Sequence, residues 1–319
     1  MNKTSKDNFF FDFSLLVIYF IFREGSSIAR IMKVLIIAVC LALAVAVSGN
    51  ETYNPEDISV YSYHSQIGIP AAIKIRKSED SNIKIVGGSV TNVQYTPYQA
   101  GLVIEILPTF TSVCGGSLIS ATRILTAAHC KNDGWFTASV FTVVLGSNTL
   151  FSGGLRIVTT DIVLHPRWDP RTVSNDIAVI HVDPITFTNV IQPINLPGVR
   201  DVNNDFVGYT ALASGFGITA DGAFISDNQP LSSVTMPVIS NSECAAVFSS
   251  FITNSIICTS GAGGKGACSG DSGGPLAVHI SGKPVLIGLS SFGSAGSCTR
   301  GLPSAFTRIT SYISWIQSN

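Results

Sequence analysis

Charged side chains are scarce in this chain. Lys and Arg number 19 and Asp and Glu 20, together 12% of 319 residues, for a net charge of −1. That shortage excludes the dense basic surface with which a protein neutralises nucleic-acid phosphates. A field so weak also argues against electrostatic steering of a charged substrate. From residue 85 onward, 10 Lys and Arg stand against 12 Asp and Glu, and the densest charge cluster, residues 74–84, lies before that point. No two cysteines stand in CxxC spacing, which removes the common zinc frameworks. Internal repeats are absent. Helical periodicity is rare, confined to a short piece at Asn241–Phe248, where Ser240 can cap, and a terminal one at 309–316. In the latter, Ile309, Ile313 and Ile316 share a face.

Glycine and apolar residues are plentiful, 29 and 46% respectively, as in a compact, loop-rich, secreted domain. Short apolar runs at 101–106, 141–145, 177–182, 210–214 and 284–290 are separated by Gly, Pro, Asn and Ser. The spacing predicts an all-β domain, sandwich or barrel. Met32-Lys33, the 14-residue apolar stretch 34–47 and the small exit residues Ser48-Gly49 read as a signal peptide over 32–49. That stretch is too short for a comfortable transmembrane helix. A second apolar run at 9–22 makes residues 1–31 either an extension upstream of the true start at Met32 or part of a signal anchor with a cytosolic tail. Residues 50–84 are polar, carry Asn54-Pro55 and Ile69-Pro70, and read as a linker-like pro-segment. It has no cysteine, so cleavage at its end detaches it. With Cys40 removed in the signal segment, six cysteines remain, and spacing alone leaves 15 connectivities open.

Three fragments carry chemistry. Gly270-Asp271-Ser272-Gly273-Gly274-Pro275 sets a hydroxyl among glycines that permit a tight turn and close approach of another molecule. A serine hydroxyl is a weak nucleophile and requires a base, itself oriented by a third group. Thr126-Ala127-Ala128-His129-Cys130 offers the base, and Ser174-Asn175-Asp176-Ile177 offers a carboxylate at the mouth of an apolar run. Singly, each has a bland reading as a turn, a structural histidine or a strand-end cap.

Together, in the order His129, Asp176, Ser272, they resemble the trypsin/chymotrypsin family of serine proteases. Ile85-Val86-Gly87-Gly88, Cys114-Gly115-Gly116-Ser117 and the ending Tyr312-Ile313-Ser314-Trp315-Ile316 extend the resemblance over residues 85–319. It implies two six-stranded antiparallel β-barrels with the active site between them and a short C-terminal helix. It also implies disulfides Cys114 to Cys130, Cys244 to Cys258 and Cys268 to Cys298. Ser272 is then the nucleophile, His129 the general base, Asp176 its orienting carboxylate, and Ser291 a support for that carboxylate. The N–H groups of Gly270 and Ser272 form the oxyanion hole. Cleavage after Lys84 by a trypsin-like protease frees the Ile85 amine to pair with Asp271. Such a pair raises the amine's folded pKa, so its stabilisation, and activity with it, fades at alkaline pH.

By the same resemblance the substrate pocket is formed by Gly266, Ser291, Phe292, Gly293, Gly296 and Ser304. An aspartate stands at the position of Gly266 in trypsin-like members; its absence here disfavours a cationic substrate side chain, whose burial without a counter-charge is costly. A large apolar or aromatic P1 residue is expected, with elastase-like or collagenolytic preference as alternatives. No cofactor or metal is expected, since the 146–160 loop has no Asp or Glu to hold calcium. The nearest likeness is to arthropod chymotrypsin-like digestive enzymes. This implies a secreted, extracellular monomer, of the gut lumen in the digestive reading, acting on proteins or peptides and restrained by protein protease inhibitors. The rivals are a regulatory protease and a non-catalytic binding protein on the same fold.

Overall fold

The computed structural model describes residues 58, 60, 62–81, 91–107, 110–217, 230–294 and 298–319. The expected signal peptide and the 1–31 segment fall outside the described residues, as do Lys84, Ile85 and Gly296. The first element is helix α1 (Ile69–Ser81), entered through one π-type turn, His64–Gly68. It lies where polar composition predicts a linker. Pro70 suits the first turn, where its missing N–H breaks no helical bond, and Ala71, Ala72 and Ile75 form a buried stripe. A stripe this short cannot hold an isolated helix; another surface of the protein completes it.

Seven strands then form one antiparallel sheet. They are β1 (Gln99–Leu107), β2 (Phe110–Ser120), β3 (Arg123–Thr126), β4 (Val140–Leu145), β5 (Leu155–Thr159), β6 (Ile162–Leu164) and β7 (Ala178–His181), in the order β5-β4-β1-β2-β3-β7-β6. The expected six become seven because Thr160 and Asp161 interrupt one run and turn it into both edges of the sheet. Thr159 Oγ1 donates to the His181 carbonyl at 2.8 Å and the His181 N–H to the Asp161 carbonyl at 2.9 Å, so the edges curl toward each other.

The second half is a closed six-stranded barrel. Its strands are β8 (Thr210–Gly215), β9 (Ser232–Ile239), β10 (Ile256–Thr259), β11 (Pro275–Ile280), β12 (Lys283–Phe292) and β13 (Ser304–Arg308), ordered β10-β13-β12-β11-β8-β9. Helix α2 (Asn241–Phe248) joins β9 to β10, and Ser240 and Glu243 cap it reciprocally, side chain to backbone N–H, at 3.2 and 3.0 Å. This capping box satisfies two otherwise orphaned N–H groups. After a 3₁₀ turn at Ile309–Tyr312, helix α3 (Ile313–Ser318) ends the chain.

Each half has its own core, around Leu102, Leu118 and Phe141 in the first and Met236, Ile287 and Phe306 in the second. A third cluster joins them: Leu125, Val179, Leu286, Leu289, Ile309 and Ile316 interdigitate. Removing such a side chain from water contributes about 1.5–3 kcal/mol. The two halves are therefore packed as one body, and loops at their junction are held from both sides. Disulfides link Cys114 to Cys130, Cys244 to Cys258 and Cys268 to Cys298.

Candidate active site

His129 sits in a single 3₁₀ turn, Ala128–Cys130, directly after β3. The Cys114–Cys130 disulfide fastens this turn to β2, and the Thr126 hydroxyl donates to the Gly115 carbonyl at 2.8 Å. Asp176 precedes β7, after Asn175, whose φ is +60°. That left-handed conformation suits Asn among non-glycine residues, and the Asn175 amide donates to the Arg167 carbonyl at 2.7 Å.

Asp176 is buried and fully engaged. Its Oδ1 accepts from the His129 backbone N–H at 2.9 Å, while Oδ2 faces His129 Nδ1 at 2.8 Å and accepts from Ser291 Oγ at 2.6 Å. Its carbonyl accepts from Thr307 Oγ1 at 2.7 Å. An ionised carboxylate only accepts, so Nδ1 carries the ring proton and Nε2 keeps a lone pair. That Nε2 is buried and has no hydrogen-bond partner among the described residues. The arrangement leaves one basic nitrogen aimed away from Asp176.

Ser272 stands at the loop before β11. Its carbonyl accepts from the Gly115 N–H at 2.7 Å, and the Gly273 N–H donates to the Ser290 carbonyl at 2.7 Å. The serine loop is thus stitched to β2 on one side and β12 on the other. Close approach explains the glycines: a Cβ on Gly115 would lie 2.8 Å from the Gly274 Cα. Gly270, at φ +99°, holds a backbone shape that side-chain-bearing residues rarely adopt.

Asp271 points the other way, into the barrel half. Its carboxylate accepts from the Gly217 N–H at 2.8 Å and the Cys268 N–H at 2.9 Å. Burial pushes its pKa up to about 6, with those two N–H groups opposing the rise. A cavity of about 480 Å³ is lined by Asp271 together with Gly266, Ala267, Ser290, Cys298 and Thr299. Gly266 and Ser304 are neighbours: a Cβ on Gly266 would stand 3.1 Å from Ser304 Oγ, which accepts from the Ala267 N–H at 3.2 Å. Asp271 is the carboxylate in the described lining, and its oxygens are already committed. Phe292 is buried edge-on against Phe248 and Phe251, and the space beside Gly293 is open.

The structure therefore joins His129, Asp176 and Ser291 in one hydrogen-bonded cluster, with the Ser272 carbonyl 3.6 Å from Cys130 Sγ beside it, while Gly266, Asp271 and Ser304 gather at the neighbouring cavity. Sequence reasoning missed Thr307, three residues beyond the pocket candidate Ser304. It also missed Tyr63. The Tyr63 ring meets the His129 ring edge-on at 4.8 Å, and its hydroxyl donates to the Val113 carbonyl at 2.7 Å. Burial drives the Tyr63 phenol pKa far up, a hydrogen bond with the Ser272 side chain opposing. Nothing in the local sequence marks this tyrosine.

The trypsin family model matches residues 85–316. Brachyurin of Leptuca pugilator is 41% identical over 239 residues, spanning 73% of this chain and 97% of that protein. Collagenase of Hypoderma lineatum is 38% identical over 74% of this chain and 87% of its own length, and chymotrypsin of Phaedon cochleariae 38% over 75% and 83%. A solved HL collagenase structure superposes with a TM-score of 0.67 at 38% identity, covering 74% of this chain and 98% of that one. Family match and fold agree, and the chain belongs to the trypsin family of serine endopeptidases.

Proposed function

We propose that this protein is a secreted zymogen whose protease domain, residues 85–319, hydrolyses peptide bonds through Ser272 with preference for a large apolar or aromatic P1 side chain. The observation that carries the reading is the Asp176 hub, which fixes His129 with its Nε2 lone pair on the side away from the carboxylate. His129 Nε2 takes the Ser272 proton as Oγ attacks the scissile carbonyl, then delivers it to the leaving amine. Water deacylates the resulting ester by the same proton path in reverse. The oxyanion is held by the Gly270 and Ser272 N–H groups, each such donor being worth about 2.7–4 kcal/mol in the transition state.

The composition of the cavity supports the P1 preference. Gly266 brings no carboxylate to it, Lys265 shares the lining, and the Asp271 oxygens are taken by the Gly217 and Cys268 N–H groups, so a buried substrate cation would lack a free counter-charge. Cleavage after Lys84 frees the Ile85 amine for Asp271, a buried carboxylate held in place by the Gly217 and Cys268 N–H groups. Among the described residues no helix is long and apolar enough to cross a membrane. Export rests on the 32–49 signal sequence, and the expected partners are protein substrates, an activating trypsin-like protease and protein inhibitors of a monomer. Collagenolytic activity is a second reading, favoured by the relative named collagenase.

Turnover of Phe, Leu, Ala and Arg p-nitroanilide peptides by the cut protein tests the specificity. Phe and Leu are expected to lead Arg by at least about tenfold in kcat/KM, roughly 1.4 kcal/mol of differential transition-state binding. Faster Arg cleavage contradicts the pocket assignment, and solubilisation of native collagen fibrils separates the second reading from the first.

A further inference from the structure

We infer that residues 58–81 are a cleft-filling inhibitor of this protease, and that the cleft keeps the segment as a ligand in trans after the chain is cut at Lys84. The inference rests on the catalytic reading of His129 and Ser272 above. It adds that activation requires departure of the segment as well as the cut.

The segment crosses the site from one wall to the other. Ile58 forms an isolated antiparallel bridge with Ser294, just beyond the end of β12, a one-residue pairing of the kind through which peptides attach to a sheet edge. Ile58 and Val60 are buried in a cluster with Val173 and Phe292. The Tyr63 N–H then donates to the Val60 carbonyl at 3.1 Å, and Ser62 takes φ +56°. The chain folds into a turn at the point where it reaches the catalytic groups.

That turn distinguishes an inhibitor from a substrate. Attack requires a carbonyl about 3–3.5 Å from the nucleophile with its orbitals aligned. Here the Tyr63 ring stands edge-on against the His129 ring at 4.8 Å, and its hydroxyl is donated to the Val113 carbonyl, so the segment sets a side chain and no scissile carbonyl against the base. His129 is fully buried.

Beyond Tyr63 the segment docks on the first sheet. The His64 N–H donates to Asp133 Oδ2 and its Nδ1 meets Ser112 Oγ, both at 2.9 Å. A Cβ on Gly68 would overlap Ser112 Oγ, so this backbone is fitted closely to β2. Helix α1 packs Ala71, Ala72 and Ile75 in one cluster with Val113 and Phe216. The Ile75 Cδ1 comes within 3.7 Å of the Cβ direction of Gly270, and the Arg76 guanidinium lies 4.7 Å over the Phe151 ring. On the segment's side these contacts use residues between Ile58 and Arg76, and none of them uses residues 82–84. Cutting after Lys84 leaves every one of them in place and removes only the tether, whose effective concentration is of millimolar order.

The test uses the full chain cut after Lys84 and freed of its pro-segment by gel filtration. A fluorescein-labelled peptide of residues 53–84 is titrated by anisotropy, and hydrolysis of a p-nitroanilide peptide is followed in parallel. The expected result is a Kd of about 10 µM or tighter with competitive inhibition, both weakened at least about tenfold by Tyr63→Ala or Gly68→Val in the peptide. An active enzyme that binds no peptide at ~100 µM, or binds it without losing activity, overturns the inference and leaves the catalytic reading standing. A cut protein that binds the peptide through Tyr63 yet hydrolyses nothing supports the docking and overturns the catalytic reading.

Discussion

Asp176 carries more of the site than its place in the sequence suggests. Four groups converge on it, and the Ser291 and Thr307 contacts come from strands more than a hundred residues away. Replacing the carboxylate by an amide presents an N–H to His129 Nδ1 and forces the other tautomer. Asp176→Asn is therefore expected to lower kcat about 10⁴-fold with little change in fold. Ser291→Ala removes one hydrogen bond to a charged group, so about a tenfold loss is expected; steady-state kinetics with circular dichroism as a fold control separates the two. Asp271 makes a different prediction. Its folded pKa of about 6 exceeds the ordinary 3.8, so ionisation costs the uncut chain stability as pH rises from about 4 to 6, up to about 3 kcal/mol. Asp271→Asn should flatten the thermal-melt profile of the uncut chain across that window, and should also prevent activity from appearing after cleavage. An unchanged melt profile contradicts the assignment. At this scale His129, Asp176 and Ser272 stand out because each sits in a distinctive local run. Thr307 and Tyr63 do not, since a hydroxyl's distant partner leaves no local pattern.

The elements divide by how they earn their stability. Strands β1, β4, β7, β8 and β12 coincide with apolar runs bounded by turn residues, and α2 has a capping box readable from Ser240 and Glu243. Helix α1 has neither. Its buried stripe is three small or medium residues, and the surface that completes it belongs to β2 and the barrel half. Its docking also carries a pH signature. Burial lowers the His64 pKa from 6.5 to about 4, with Asp133 opposing and His129 adding to the shift. Charging His64 is thus disfavoured in the docked state: affinity is full above pH 6.5 and falls, by about tenfold per unit, until pH 4. The groups facing it are Asp133, His129, the Ser112 hydroxyl and the Tyr63 ring. A peptide of residues 53–84 should show this weakening by anisotropy, and its His64→Gln variant should show less. Equal pH dependence in both would contradict the role of His64.

At the scale of the molecule, two β halves packed through a shared apolar cluster hold loops from each side at fixed separation. That is why His129 after β3 and Asp176 before β7 meet in direct hydrogen bonds beside the Ser272 loop before β11. The all-β class followed from run spacing, and the two barrel-like halves, of which the second closes, from the family likeness. The seventh strand did not, because a bend at Thr160 and Asp161 depends on hydrogen bonds to His181 that only the folded sheet supplies. The segment before the domain was the least legible part, since its packing partner lies elsewhere in the chain. The central claim is that the cut protein is a serine endopeptidase acting through Ser272. Treating the chain cut after Lys84 with a fluorophosphonate and locating the adduct by mass spectrometry tests it most directly. The account predicts one adduct, on Ser272, with loss of peptide hydrolysis in proportion to labelling; a folded, cut protein that remains unlabelled would contradict it.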